Sequence, residues 1–136
     1  MVAEILQNKY GVSVYLNDDG GWYKLRHSEA VALGCDAIVS IHFNAFDSST
    51  TGSESLIHSY NASLMSFTWQ KQIHPYLISG TGLLDRGMKQ QEVAILGGPL
   101  PAVLLEVAFI DNASDMSNYQ ANKVMIANKI AEGIAL

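Results

Sequence analysis

Ala37–Phe46, AIVSIHFNAF, decides how the rest of the chain is read. Ala37, Ile38, Val39 and Ile41 are small or β-branched and predict a short buried strand. The strand runs into His42, Asn44 and Ala45. A polar cluster at the carboxyl end of an apolar strand is where open α/β sheets carry their chemistry. A second run, Pro101–Asn112 (PAVLLEVAFIDN), has one carboxylate, Glu106, in its middle. Such a group is costly to bury unless something pairs with it or binds to it. A lone histidine at a strand end is more often a hydrogen-bonded structural residue than a ligand. His42 and Glu106 together suggest a metal or acid–base site.

With 136 residues, 49% of them hydrophobic, the chain holds one domain, residues 1–136, with a real core. A formal charge of −5 with no basic block argues against a nucleic-acid partner. No apolar run is long enough to span a bilayer. Cys35 is the single cysteine, so no internal disulfide forms, and an inert buried thiol is expected there. The start, MVAEILQNKYG, shows no signal peptide.

Working outward from the two runs, strands and helices alternate. Val2–Lys9 reads as the end of a helix stopped by Gly11, Val12–Leu16 as a strand, and Asn17–Gly21 as a loop. Trp22–Leu33 is a helix ended by Gly34. Ser53–Ser59 is a strand, with Glu54 at its start and His58 at its end. Asn61 caps a helix to about Ser79, whose Met65, Trp69, Ile73 and Tyr76 face the sheet, with His74 at the boundary. Gly80–Gln91 is a loop, Glu92–Leu96 a short strand, and Ala102–Val107 the strand carrying Glu106. Asn112–Ser117 is a turn, and the last helix spans about Gln120–Ala135. The class is α/β, a mixed, largely parallel twisted sheet with helices on both faces. No glycine-rich phosphate loop follows any strand.

The wording of both runs resembles one family. SIHFNAF at Ser40–Phe46 looks like the SIH-x-NA motif of zinc-dependent N-acetylmuramoyl-L-alanine amidases of the type-3 family, as found in phage endolysins and autolysins. PAVLLEVAFIDN resembles their PA-x-L-x-E-x-x-F-x-x-N segment. Asp85-Arg86-Gly87, Gly52–Ser55 (GSES), Arg26 and Ala30 fall at the family's other landmarks. The resemblance implies a phosphorylase/hydrolase-like fold. The implied activity is a peptidoglycan hydrolase that cleaves the amide between the lactyl group of N-acetylmuramic acid and L-alanine with zinc-activated water. It implies His42 as a zinc ligand, Glu106 as the catalytic carboxylate, and Asn44 and Arg86 as substrate-binding or site-shaping residues.

The family carries two further ligands upstream, a histidine in a glycine-rich loop and a glutamate opening the first helix. No residue here matches either, and His27, His58 and His74 do not sit on ligand positions. The chain reads as an amidase domain that begins inside that helix. A missing first strand would leave unpaired inner sheet edges, open to self-association or covered by a partner. The alternative is an inactive amidase-like module that binds wall or a partner. Action at the cell wall is expected, reached by phage-type holin-dependent release or through an N-terminal segment outside this sequence.

Overall fold

The computed structural model describes residues 1–18, 20 and 23–136; the expected loop at Asn17–Gly21 and the start of the helix expected from Trp22 fall partly outside them. A four-stranded sheet runs in the order β1-β4-β2-β3, with β1 Ile38–Asn44, β2 Ser53–Ile57, β3 Asp85–Gln90 and β4 Ala102–Phe109. The β1–β4 and β2–β3 pairs are parallel, and the central β2–β4 pair is antiparallel. The mixed, largely parallel sheet expected from the sequence is therefore present.

Strand alternation sorts β4 into two faces. Val103, Leu105 and Val107 join Ile57, Ile73, Leu77, Ile126 and Ile130 in the larger core. Three helices cover this side: α1 Val2–Tyr10, α3 Leu64–Thr81 and α4 Ala113–Ala135. Ala102 and Leu104 point the other way and pack with Leu56 and Leu96. That face is covered only at one end, by the short α2 (Arg26–Ala32) and two 3-10 turns, Tyr23–Leu25 and Ala94–Leu96. The carboxyl end of this second face stays open, and Glu106 lies there.

His27 ties the cover down. Its Nε2 accepts from the Leu100 amide at 3.1 Å, so Nδ1 carries the proton and donates to the Ile95 carbonyl at 2.8 Å. A Cβ on Gly98 would lie 2.3 Å from the His27 ring. We expect Gly98→Ala to destabilise the fold by about 2 kcal/mol through overpacking, read as a lower urea midpoint at unchanged slope.

Several elements differ from expectation. Val12–Leu16 is not a strand: no strand pairs with it, and Tyr15 and Leu16 are exposed. Asp85–Gln90 is a strand instead of a loop, since backbone pairing to β2 overrides its polar composition. Glu92–Leu96 forms a 3-10 turn where a strand was expected. Ser63, not Asn61, caps α3, its side chain accepting from the Ser66 amide. Asn112 caps α4, which therefore starts seven residues before the expected Gln120. Within α3, Ile73 is buried and Trp69 packs against the core, as expected, but Met65 is 60% exposed; the most buried stripe is Ser66, Gln70, Ile73 and Leu77. β1 is only half buried because it is the outermost strand, with Ile41 and Phe43 exposed. The sheet is continuous, so the bare edge among the described residues at this end is that of β1, and no inner gap opens. Cys35 is half-buried, not enclosed.

His74 is buried, not a boundary residue. Its Nδ1 meets Ser55 Oγ and its Nε2 meets Asp85 Oδ1, each at 2.8 Å, clamping α3 to β2 and β3. Burial pushes the Asp85 carboxyl up, but the bonds from His74 and the Gly87 amide outweigh it, and the net shift is down. A depressed folded value contributes stability above the unfolded value of about 3.8, lost as pH falls through the folded value. Stability of Asp85→Asn should therefore fall less steeply with acid than that of the parent. Parallel urea-midpoint profiles against pH would contradict this clamp.

Candidate active site

The open end of the second face is built from neighbouring strands in register. His42 on β1 pairs with Glu106 on β4. Glu106 in turn pairs with Glu54 on β2. Residues paired in register point to one face, and neighbouring strands lie about 4.8 Å apart. One imidazole and two carboxylates thus form a row across three strands, with Glu106 in the middle.

The three groups are satisfied very differently. His42 is exposed, and its Nε2 shares a hydrogen bond with Ser40 Oγ at 2.7 Å. Glu54 is buried and fully committed: Oε1 accepts from Asn44 Nδ2 at 3.0 Å, and Oε2 from Arg86 Nε at 3.4 Å and from Lys89 Nζ. Glu106 is half-buried, and its Oε2 is enclosed without a partner. Burial, and then the negative charge of Glu54, push its carboxyl above the usual range. A carboxyl with a free oxygen and a raised affinity for protons is suited to taking a proton from water and returning it.

Two bulges aim the flanking side chains. From Glu106 to Phe109, three steps on β4 face two on β1, His42 to Asn44. From Asp85 to Met88, three steps on β3 face two on β2. Gly87, at φ 91°, takes up the extra residue. The bulge lets Arg86 and Lys89 both reach Glu54 although they are three residues apart. It also gives a physical reason for the glycine of the Asp-Arg-Gly motif.

The loop after β1 is fixed by carboxylates from the β4–α4 junction. Asp111 Oδ2 accepts from the amides of Phe46 (3.1 Å) and Ser48 (2.9 Å). Asp115, 1% exposed, accepts from Thr51 Oγ1, from the Gly52 amide at 3.2 Å and from the Phe109 amide at 2.9 Å. Asp115→Ala would leave these donors unpaired, and we expect it to cost about 3 kcal/mol, seen as an earlier thermal transition.

The structure therefore brings together all four residues singled out from the sequence: His42, Glu106, Asn44 and Arg86. Sequence reading gave no role to Glu54 or Lys89. Alternation along Ser53–Ile57 was the available signal, since it places Glu54 and Leu56 on one face.

The profile of the N-acetylmuramoyl-L-alanine amidase family matches residues 1–136 of the chain, its whole length. The chain belongs to this family. It is 35% identical to the N-acetylmuramoyl-L-alanine amidase LytC of Bacillus subtilis (strain 168), across 80% of this chain and 22% of LytC. It is 32% identical to the endolysin of Bacillus phage SPP1, across 98% of this chain and 53% of the endolysin. The chain thus spans about half of that endolysin and less than a quarter of LytC. Among solved structures it superposes on the catalytic domain of the amidase CwlV from Bacillus (Paenibacillus) polymyxa var. colistinus. The TM-score is 0.82 at 29% identity, covering 98% of this chain and 74% of that one.

Amidases of the resembling type use zinc, and a catalytic zinc site takes three protein ligands. Among the described residues, no group of three or more His, Cys, Asp or Glu side chains is placed to hold a metal ion. Glu54, the other acid in the row, is already held by Lys89, Arg86 and Asn44. His42 and Glu106 alone fall short of a zinc site. No described helix is long and apolar enough to cross a membrane.

Proposed function

We propose that this amidase-family chain acts on peptidoglycan at the cell wall, hydrolysing the amide between the lactyl group of N-acetylmuramic acid and L-alanine. The observation that carries the reading is the partnerless, enclosed Glu106 Oε2 beside His42. Glu106 takes a proton from the attacking water as the carbonyl carbon is attacked. It then gives that proton to the departing L-alanine nitrogen, which leaves as an amine. Burial, and then the negative charge of Glu54, strengthen Glu106 as a base, while Arg86 and Lys89 hold Glu54 in its ionised form. Asn44 spans from β1 to Glu54 and holds the mouth of the site in shape. His42 is the proposed zinc ligand.

The test is the appearance of free L-alanine amino termini in purified cell walls incubated with the protein and zinc. Untouched walls would contradict the reading.

The short donor set favours a second reading, a wall-binding module without turnover. Turnover with added zinc separates the two, because the described donors do not by themselves retain a metal through dialysis. The first reading expects released amino termini. Protein that pellets with walls and releases no termini, even with zinc added, would establish the second.

A further inference from the structure

Beside the acid row lies an open cavity of about 410 Å³, lined by Asn44, Ala45, Phe46, Thr50, Arg86 and Phe109. Arg86 is the one cation among these lining residues. Its guanidinium carbon stands 5.0 Å from the centroid of the Phe109 ring, which is itself 2% exposed. Its Nε points to Glu54. The ring and the carboxylate hold the guanidinium in place. Only one of its five N–H donors is used on Glu54, and the terminal nitrogens have no hydrogen-bond partner among the described residues. Two cations, Arg86 and Lys89, share the one carboxylate Glu54, so neither is tied to a carboxylate of its own. Asp85, the neighbouring acid, turns its carboxylate to His74 on the opposite face and does not occupy the fork. Asp111 spends Oδ2 on the amides of Phe46 and Ser48, and no bond joins it to Arg86 among the described residues. A fixed guanidinium with a free fork, over an open cavity, suits a planar carboxylate.

We propose that Arg86 binds the free α-carboxylate on the second residue of the stem peptide, the γ-linked D-glutamate, and so selects stems in which that carboxylate is not amidated. The proposal rests on the amidase reading for its substrate. The spacing agrees with it. β4, which carries Glu106, and β3, which carries Arg86, are two strand steps apart, or about 10 Å. An extended peptide advances about 3.4 Å per residue. The second residue after the scissile bond therefore lies about 7 Å along, within reach of an arginine that leans back over β2.

The test measures binding of L-alanyl-γ-D-glutamyl-L-lysine, and of the same peptide amidated at the glutamate α-carboxylate, by NMR titration. Binding of the free acid should be about tenfold tighter, the size of one charge-assisted hydrogen-bonded pair. A peptide amidated only at its lysine carboxylate should bind like the parent. Arg86→Gln should erase the preference, and Arg86→Lys should keep a reduced one. Equal binding of the two peptides by the parent protein overturns the proposal. So does a preference that follows the lysine carboxylate, a preference retained by Arg86→Gln, or no saturable binding of either peptide. Wall cleavage is scored separately. Discrimination without cleavage would remove the amidase reading and leave the carboxylate site standing; cleavage without discrimination would do the reverse.

Discussion

Replacing Glu106 by glutamine is expected to lower wall hydrolysis about 10³-fold, within the range of a positioned general base, and to leave the fold intact. The amide fills the same space but cannot take a proton from water. Stability should hold or rise. Burial and Glu54 raise the carboxyl's affinity for protons, so the ionised form costs folded stability once pH exceeds the unfolded value. Glutamine removes that charge from between β1 and β2. A melting temperature equal to or above that of the parent, with turnover lost, is therefore the expected pair of results. Activity within a few-fold of the parent would take Glu106 out of the chemistry. A sharp loss of stability would make it a structural residue.

The second large effect is expected at Gly52, at the start of β2. Its φ is 120°, which L side chains rarely adopt. A Cβ there would lie 2.5 Å from the Leu84 carbonyl oxygen and 2.8 Å from Arg86 Cγ. The Leu84 carbonyl is fixed by its bond from the Ser53 amide, so backbone must move. Gly52→Ala should cost about 3 kcal/mol, a fall in melting temperature on the order of 10 °C. Arg86 would be displaced with it, weakening any ligand held over the cavity. Gly82→Ala is the comparison. That site also has positive φ, 62°, but open space around it, so only a loss of about 1 kcal/mol is expected. Equal effects at the two positions would mean that backbone conformation, not the close approach to β3, governs Gly52.

The sequence and the structure agree where local pattern and burial act together. β4 lies between two strands and reads as an apolar run because its side chains are buried on both faces except at Glu106. The helix expected at Val2–Lys9 ends at Gly11 in the left-handed conformation. Agreement fails where a partner decides. DRGMKQ has the composition of a loop and becomes a strand only by pairing with β2. Val12–Leu16 has the composition of a strand, but no strand of the sheet takes it up. The Asn112–Ser117 segment holds capping residues that signal a turn, yet it forms the first turns of α4 once Asn112 caps it. The site divides in the same way. Glu106 stood out as a charge within an apolar run. Glu54 and Lys89 did not, because their importance depends on strand register and on a bulge at Gly87, which no local pattern encodes.

In the proposed reaction, water attacks one particular amide with Glu106 as the base. Digestion of purified walls in ¹⁸O-labelled water, followed by mass spectrometry of the fragments, tests this most directly. The expected result is a single heavy oxygen in the lactyl carboxylate of muramic acid, with unlabelled L-alanine amino termini released in equal number. Label at the sugar C1 position, or in a carboxylate within the stem peptide, would mean that a different bond is cut and would contradict it.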